Sequence, residues 1–550
     1  MATNPTIYPA RAVHTLEHTR PTAEAVAVAD GRILGVGTID ELSVWGTPTI
    51  DDRFADDVIL PGFVEAHAHS FEGALWQFTY CGWFDRTDPD GRLWPGCRSI
   101  DDVLDRLREA DAALADPDEP LCAWGLDPIY FAGERLVATH LDRVSTRRPV
   151  FVLHASIHLA TVNTACMDIA GIDADTPVEG VPKGGDGRPI GELQEPAAMS
   201  LAGDAFRRLF AGLRTDQAVE NFGRLARNAG ITTITDLGST SIVADEVVDR
   251  WLRIVDGDDF PTRVSMFHNP GFGGSGDLAA DAGTVVARRA QSTDKMRFGH
   301  VKFVLDGSIQ GFTARLKAPG YLGDRPNGLW LFPPEQVEPR LQAFHDAGLT
   351  VHCHCNGDET VDVFLDAVEA VLARSPRLDH RHTVQHCQLT SDAQYRRMAT
   401  LGVAANLFSN HLWYWGDQHR DITVGPDRAA RMNAAATALR HGVALSMHSD
   451  AAVTPLGPLH VAWCAVNRIT ATGDVLGPDE RIGVLDALRA VTVGAAYQLK
   501  MDHEIGTIAP GKRADLVVLG GDPLAVEPTE LRDVPVRGTM LGGRWSPADG

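Results

Sequence analysis

The sequence predicts an α/β protein built on a (β/α)8 barrel of the TIM type. Through the middle of the 550-residue chain, short apolar runs alternate with amphipathic stretches, the pattern of a parallel sheet covered by helices. Ionisable residues follow the ends of several apolar runs, as expected at the active-site face of such a barrel. The predicted barrel strands are 58–60, 232–236, 263–268, 300–304, 350–354, 383–386, 403–407 and 444–448. The predicted helices between them include 336–347, 360–374, 391–401 and 428–441.

Both ends of the chain consist of short predicted strands joined by tight turns. Asp30 and Gly31 form a turn between two apolar runs, which is a strong hairpin signal, and residues 536–545 form another hairpin near the other end. Neither end has enough strands for a core of its own. We therefore predict that residues 1–57 and 503–550 form one small composite β-sandwich, and that residues 58–69 and 216–502 form the barrel.

Residues 70–215 interrupt the regular spacing of strands and helices. The segment is too long for a loop and contains a predicted helix near 100–114 and a predicted strand at 150–154. We interpret it as an inserted α/β subdomain that covers the mouth of the barrel as a lid.

The composition restricts the partners of the protein. A net charge of −23 excludes sequence-independent binding to nucleic acid or to an anionic membrane, because no basic patch is present. The first residues lack a signal peptide, and no stretch approaches the length of a membrane-spanning helix. The eight cysteines show no disulfide framework. We expect a cytoplasmic homo-oligomer, a dimer, that acts on a small molecule.

Two histidines end the stretch Pro61-Gly62-Phe63-Val64-Glu65-Ala66-His67-Ala68-His69. In an extended backbone, side chains alternate between faces, so His67 and His69 point the same way. Two imidazoles on one face can bind one metal ion. An exposed or hydrogen-bonded pair would show the same spacing.

Four further ionisable residues lie within or at the ends of predicted strands. Lys302 lies within an apolar strand, where a charge is costly unless it is neutralised or paired. It either forms a salt bridge with Asp306 or another acid, or it is converted to a carbamate that acts as an anionic ligand. His354, His386 and Asp450 follow later strands, and each of these alone would more often be structural.

Taken in order, these motifs resemble the amidohydrolase superfamily. They are Pro-Gly-Phe-x-x-x-His-x-His at 61–69, a strand lysine followed by Asp-Gly-Ser at 306–308, His-x-x-Gly-Asp at 354–358, His-x-Gln at 386–388 and Ser-Asp at 449–450. More narrowly, the sequence is similar to amidohydrolase family 3, the branch that contains N-substituted formamide deformylase. The segments 158–163, 191–195 and 505–516 extend the resemblance over nearly the whole chain.

The resemblance implies a centre of two divalent metal ions. His67, His69 and Asp450 would hold the more buried ion, His354 and His386 would hold the other, and carboxylated Lys302 would bridge them. Imidazole and carboxylate ligands suit Zn²⁺, although other divalent ions also fit. Two cations about 3.5–4 Å apart can share a hydroxide that attacks a carbonyl at neutral pH. Asp450 would carry the proton from the attacking water to the leaving nitrogen.

A second group of residues is expected to contact the substrate. Phe312 occupies a position where relatives commonly have arginine, so a charged anchor for an anionic substrate is in doubt. His448 lies two residues before Asp450, where it either orients that carboxylate, lines the pocket or packs in the core. The predicted substrate-binding residues are Trp76, His158, Glu195, Phe312, Trp413 and His448.

Together these features predict a binuclear metallohydrolase that cleaves a C–N bond in a neutral, rather apolar amide or cyclic amide. A one-metal deaminase that acts on a ring amidine is an alternative, and it would need neither Lys302 nor a bridge. A non-catalytic binding protein on the same scaffold is a further alternative, which the six filled ligand positions disfavour.

Overall fold

A computed structural model describes residues 4–131, 133–271 and 274–549. At its centre, eight strands form a nearly closed barrel, and every neighbouring pair runs parallel. The first and last strands meet through a parallel bridge between Ala68 and Ala451. The barrel strands are β1 Phe63–Glu65, β2 Ile231–Asp236, β3 Arg263–His268, β4 Met296–Val304, β5 Thr350–Cys355, β6 Thr383–His386, β7 Ala404–Leu407 and β8 Leu445–Met447. The predicted fold class is confirmed.

Helices cover the outside of the barrel because the outward side of each strand is apolar. Cys353 and Cys355, for example, join the hydrophobic core between strands and helices, while His352 and His354 alternate with them on the same strand. The helices of this layer and of the barrel loops are Asp216–Asn228, Asp245–Val255, Leu278–Arg289, Val337–Asp346, Asp358–Arg374, Asp392–Leu401, His411–Gln418, Pro426–Ala430, Ala435–Arg440, Pro458–Asn467, Val484–Ala490 and Val493–Gln498.

The prediction of one continuous helix over 428–441 is wrong. The chain forms two short helices separated at Asn433, which has a left-handed φ of 49° and donates its N–H to the carbonyl of Gln388. The buried guanidinium of Arg468 donates to the carbonyls of Ala430, Met432 and Asn433. Because these carbonyls have a side-chain partner, the interruption leaves them hydrogen-bonded.

The prediction that 58–60 is the first barrel strand is also wrong. Val58–Pro61 pairs with Thr6–His14 on one side and with Leu516–Leu519 on the other, and so belongs to a sheet formed by the chain termini. The barrel begins two residues later, after Gly62. A Cβ atom at Gly62 would lie 2.1 Å from Oγ1 of Thr232, so this close passage between the two sheets requires glycine.

Strands from both ends of the chain pair in one sheet of eight strands. The composite β-sandwich from residues 1–57 and 503–550 stays a prediction. Its core includes Val26, Ile59 and Val518, which come from the two ends of the chain and from the strand that enters the barrel. Its strands are Thr6–His14, Thr22–Ala29, Arg32–Gly37, Thr49–Ile50, Val58–Pro61, Leu516–Leu519, Val536–Leu541 and Arg544–Pro547.

The segment between β1 and β2 contains helices and a five-stranded sheet. In spatial order, its strands are Glu192–Gln194, Leu159–Val162, Val150–His154, Leu121–Leu126 and Thr79–Tyr80. Its α-helices are Phe71–Leu75, Ile100–Ala113, Ala138–Leu141, Thr164–Ala170, Glu195–Met199 and Asp204–Ala211. A role as a lid stays a prediction. Within the described ranges, no helix combines the length and the apolar composition needed to cross a membrane.

A buried ion pair connects the terminal sheet to the barrel. On β3, Arg263 donates from Nε to Asp515 over 2.6 Å and from Nη2 to the same carboxylate over 3.1 Å. The two side chains are only 2% and 1% exposed. Asp515 also accepts the N–H of Gly542 over 2.8 Å. Both partners are therefore satisfied only when the two sheets are assembled.

We expect Asp515→Ala to lower the free energy of unfolding by about 1–3 kcal/mol, because it leaves Nε and Nη2 of Arg263 buried without an acceptor, whereas Nη1 still donates to Asp294. Urea and thermal unfolding of the purified protein measure this change. Asp259→Ala is the matched control, since Asp259 pairs with Arg544 at the surface and its side chain is 99% exposed. Equal losses in the two variants would contradict the prediction.

Candidate metal centre

The C-terminal ends of the barrel strands bring together all six residues that were predicted as metal ligands. Lys302 lies on β4, His354 on β5 and His386 at the end of β6, while the other three follow β1 and β8. Five of the six are at least nine-tenths buried, and the side chain of His69 is 20% exposed. The six residues are His67, His69, Lys302, His354, His386 and Asp450.

A group of three residues has the geometry of a cation site. Oδ1 of Asp450 lies 3.2 Å from Nε2 of His67 and 3.5 Å from Nε2 of His69. One ligand atom from each residue lies within 4.8 Å of the others. In the described part of the chain, Oδ1 has no hydrogen-bond partner. A buried carboxylate oxygen that faces two imidazole nitrogens and lacks a donor fits a divalent cation.

The remaining three ligand candidates lie beside this group. Nζ of Lys302 is 3.1 Å from Nε2 of His67, and Nδ1 of His354 is 2.9 Å from Nε2 of His386. Among the described residues, no carboxylate lies within salt-bridge distance of Lys302. Asp306, which the sequence suggested as a salt-bridge partner of Lys302, instead accepts the N–H groups of Arg315, Asn356 and Gly357.

Hydrogen bonds from neighbouring groups orient the imidazole rings. Nδ1 of His67 lies 2.6 Å from Oε1 of Gln385, and Nε2 of His354 lies 3.3 Å from the carbonyl oxygen of Gly307. The oxygen of Gln385 only accepts, so Nδ1 of His67 carries the ring proton and its Nε2 has a free lone pair. Nε2 of His354 also lies 3.0 Å from the amide nitrogen of Asn356, which donates, so an acceptor and a donor both contact this nitrogen. Nδ1 of His69 lies 2.7 Å from Oγ of Ser239.

Burial keeps these rings neutral. It lowers the pKa of His67, His354 and His386 well below the usual value for histidine. Neutral imidazole is the form that binds metal. Burial would raise the pKa of Asp450, but the neighbouring groups, His69 foremost, outweigh it, so the pKa lies below its usual value and the group is a carboxylate. Burial also lowers the pKa of Lys302 to about 8.

Sequence reasoning missed the residues that hold this centre in place. Gln385 precedes His386 on β6 and contacts both His67 and His352, over 2.6 Å and 2.8 Å. Glu65 accepts the hydroxyl of Ser449 over 2.7 Å, and burial raises the pKa of its carboxyl to about 8. In the sequence, both residues could have been noticed as polar side chains within an otherwise apolar strand.

A cavity of about 610 Å³ opens onto the centre. His69, Lys302, His354, His386 and Asp450 line its floor. Its walls are mainly apolar and come from the inserted unit and from the barrel loops. They include Phe71, Ile157, Met199, Phe206, Phe210, Phe303, Leu331 and Phe332. Among the lining residues, Arg340 supplies a cation away from the metal-ligand candidates.

The structure brings two predicted substrate-binding residues into this cavity. Nδ1 of His158 lies 2.7 Å from Oε2 of Glu195, and the ring of His158 is centred 5.4 Å from that of His354. Burial would lower the pKa of His158, but the adjacent carboxylate of Glu195 outweighs it and raises the pKa. The other oxygen of Glu195 is buried and has no hydrogen-bond partner among the described residues.

The other four predicted contact residues lie outside the lining of this cavity. Trp76 packs inside the inserted unit, 5.0 Å from the ring of Trp124. Trp413 packs against Phe84 at a centroid distance of 4.8 Å. Aromatic packing between segments explains both positions. Neither side chain lines the cavity, so the cavity does not support a substrate contact for either residue.

Phe312 and His448 lie in two different places outside the main cavity. Phe312 lines a separate cavity of about 150 Å³, where the guanidinium of Arg325 lies 4.0 Å from its ring centroid. A cation therefore lies next to Phe312, but above this smaller cavity. His448 is fully buried behind His386. Their contact with substrate stays a prediction.

A parallel barrel with histidines, a lysine and an aspartate gathered at its strand ends is the architecture of a metal-dependent hydrolase. The chain belongs to the amidohydrolase family, whose model matches residues 55–546. This confirms the predicted family and the prediction of an amidohydrolase, an enzyme that hydrolyses carbon–nitrogen bonds.

Several curated proteins are similar over nearly their full length. The chain is 29% identical to Protein LONG AFTER FAR-RED 3 of Arabidopsis thaliana, covering 94% of this chain and 86% of that protein. It is 26% identical to N-substituted formamide deformylase of Arthrobacter pascens, covering 96% of each. It is 25% identical to the putative amidohydrolase YtcJ of Bacillus subtilis, covering 97% of each.

Solved structures share the fold. An uncharacterized metal-dependent hydrolase from Pyrococcus horikoshii OT3 superimposes with a TM-score of 0.69 at 18% identity, covering 96% of this chain and 99% of that chain. A triazine hydrolase variant superimposes with a TM-score of 0.52 at 15% identity, covering 98% of this chain and 94% of that chain. At these identities the similarity concerns the fold alone.

We expect His354→Ala to lower the amount of divalent metal bound per chain, because it removes an imidazole that lines the centre and lies 2.9 Å from His386. Elemental analysis after dialysis against metal-free buffer measures the loss. His419→Ala is the control, since His419 is a fully buried histidine that pairs with His411 and Thr423 away from the centre. Equal metal content in His354→Ala and the unaltered protein would count against the site.

Proposed function

We propose that the chain is a binuclear metal-dependent hydrolase that cleaves the C–N bond of a neutral, largely apolar amide or cyclic amide. The observation that carries this proposal is the convergence of six ligand-type side chains beneath an apolar cavity of about 610 Å³. His67, His69 and Asp450 would hold one ion, and His354 and His386 would hold the other.

Lys302 supports the two-ion form of the proposal. Its amine is buried, lies 3.1 Å from Nε2 of His67 and has its pKa lowered to about 8 by burial. A fraction of the amine is therefore neutral at physiological pH, and dissolved carbon dioxide would add to the neutral amine, with release of one proton, to give a carbamate. The resulting anion would remove the cost of a buried ammonium and add a bridging carboxylate. Zn²⁺ is the ion that suits these ligands best.

Bound in this centre, two divalent ions would activate a water molecule and polarise the scissile carbonyl. Asp450 is placed to move protons, since its carboxylate lines the cavity and one of its oxygens has no donor. It would accept the proton of the attacking water and pass it to the leaving nitrogen. The pair His158 and Glu195 would contact the polar part of the substrate from the opposite wall.

The cavity walls support an apolar substituent on the substrate. Phenylalanine side chains from both the inserted unit and the barrel surround the space, which excludes water and favours aromatic or branched groups. The similar deformylase of Arthrobacter pascens acts, by its name, on N-substituted formamides. An amide with a bulky substituent on nitrogen is therefore the first class to test.

A one-metal deaminase is the second candidate. The group of His67, His69 and Asp450 is complete without Lys302, and this observation favours it. Elemental analysis that found one ion per chain, together with release of ammonia from a ring amidine, would support this candidate over the two-ion hydrolase. A purified protein that bound no metal would instead favour a non-catalytic binding role.

We expect Asp450→Asn to lower kcat by about 10²–10⁴-fold, because amide nitrogen and oxygen cannot carry the proton. Metal content should stay largely intact. Asp127→Asn is the control, since Asp127 is also a buried carboxyl but hydrogen-bonds to Trp415 away from the centre. Unchanged turnover in Asp450→Asn would exclude its role as proton carrier.

We expect Phe206→Ala to lower kcat/KM for an N-benzyl amide by about 10-fold, since removing a half-buried aromatic side chain that the benzyl group would cover forfeits about 1.5 kcal/mol. Phe206 lines the cavity and packs 4.2 Å from the ring of Phe210. The N-methyl analogue serves as the control substrate, and its kcat/KM should change little. Equal losses for both substrates would show that the substituent binds elsewhere.

A further inference from the structure

His448 lies directly behind the metal-ligand candidates. It follows β8, is fully buried and does not line the main cavity. Its ring stacks on His67 at a centroid distance of 4.7 Å and on Phe408 at 5.0 Å. Its Nε2 lies 3.0 Å from Nδ1 of His386. Its Nδ1 has no hydrogen-bond partner in the described part of the chain. The ring is thus held by stacking and by one polar contact.

The position of the ring proton decides which nitrogen of His386 can bind an ion. Nε2 of His386 faces His354, which is a ligand candidate, whereas Nδ1 faces His448. If Nε2 is the ligand atom, its lone pair must be free and the proton must lie on Nδ1. That N–H is buried, so it needs an acceptor.

Two groups are near enough to be considered as this acceptor. Nε2 of His448 lies at 3.0 Å, and Oδ2 of Asp450 lies at 3.7 Å from the same nitrogen. The second distance is too long for a hydrogen bond. If His448 donated instead, the proton of His386 would lie on Nε2 and that atom could not bind metal. Metal binding through Nε2 therefore requires His448 to accept.

We propose that His448 is a positioning residue that accepts the Nδ1–H of His386 and thereby fixes Nε2 of His386 as the metal-ligand nitrogen. Stacking between His67 and Phe408 holds the accepting ring in place. As a consequence, Asp450 does not have to orient His386, and its carboxylate is available to the ion and to the reacting water. The inference rests on the metal centre of the proposed function, but it depends on no particular substrate.

The test uses two substitutions that separate stacking from hydrogen bonding. His448→Phe keeps a flat ring between His67 and Phe408 but provides no acceptor. His448→Gln provides an acceptor oxygen without the ring. Affinity and stoichiometry for Zn²⁺ are measured on the full-length protein by competition with a chelator, and the Co²⁺-substituted protein is examined by visible absorption spectroscopy.

We expect His448→Phe to weaken binding of one ion by about 10- to 100-fold, the usual effect of removing the hydrogen-bond partner of a ligand histidine. His448→Gln should bind within a few-fold of the unaltered protein. In a His386→Ala background, adding His448→Phe should cause no further loss, because the residue through which His448 acts is absent.

Unchanged affinity in His448→Phe would overturn the proposal. So would equal losses in the Phe and Gln variants with an altered Co²⁺ spectrum, which would identify His448 as a direct ligand. That alternative is geometrically available, since ligand atoms of His67, His386 and His448 lie within 4.8 Å of one another. If His448→Phe does not fold, as judged by circular dichroism, His448→Ala takes its place in the comparison with His448→Gln. These measurements use no substrate. A failure of the His448 proposal can therefore be told apart from a failure of the enzyme to hydrolyse any amide.

Discussion

At the barrel mouth, the buried atoms that carry a lone pair outnumber the N–H and O–H groups that could hydrogen-bond to them, and the arrangement of the site depends on this excess. Oδ1 of Asp450 has no donor within the described residues, and the lone pair of His67 faces the same space because its other ring nitrogen is engaged by Gln385. An uncompensated carboxylate at this depth would cost several kcal/mol. A divalent cation fits this set of acceptors, and binding it would offset that cost.

The parallel barrel explains why residues from distant parts of the sequence meet there. Each strand contributes its last inward side chains to one face. Lys302 pairs with His352, two residues before His354, and His354 pairs with Gln385, the residue before His386, so successive ligand candidates lie near the same level. The outward residues of the same strands, such as Cys353, pack under the helices. The chemistry therefore changes with residues at strand ends, while the alternating apolar residues maintain the scaffold.

Local pattern was sufficient to predict seven of the eight barrel strands, and it failed where the outcome depends on distant partners. The six ligand candidates came from the resemblance to a known family, and their binding of metal stays a prediction. Residues 58–60 and Phe63–Glu65 are both short and apolar, and only pairing with Leu516–Leu519 decides that the first lies in the terminal sheet. The interruption at Asn433 depends on Arg468, which lies in a later helix–loop segment. The sequence also gives no indication that Trp76 packs against Trp124 and not toward the cavity, because hydrophobic periodicity does not identify the residue on which a side chain packs.

The inserted unit and the barrel supply different parts of the site. The barrel provides the ligand candidates, whereas the inserted unit provides much of the apolar wall and the pair His158 and Glu195. Glu195 and Ile157 both adopt a left-handed backbone, with φ of 65° and 62°, a conformation that costs of order 1 kcal/mol or more for residues with a Cβ atom. Both strained positions lie within or next to the pair that faces the cavity, and the barrel does not require either of them. Within the described part of the inserted unit, the non-glycine residues with positive φ are these two. Their strain is explained if the inserted unit is selected for how it aims this pair at the substrate, so that substrate preference can change there without altering the metal centre.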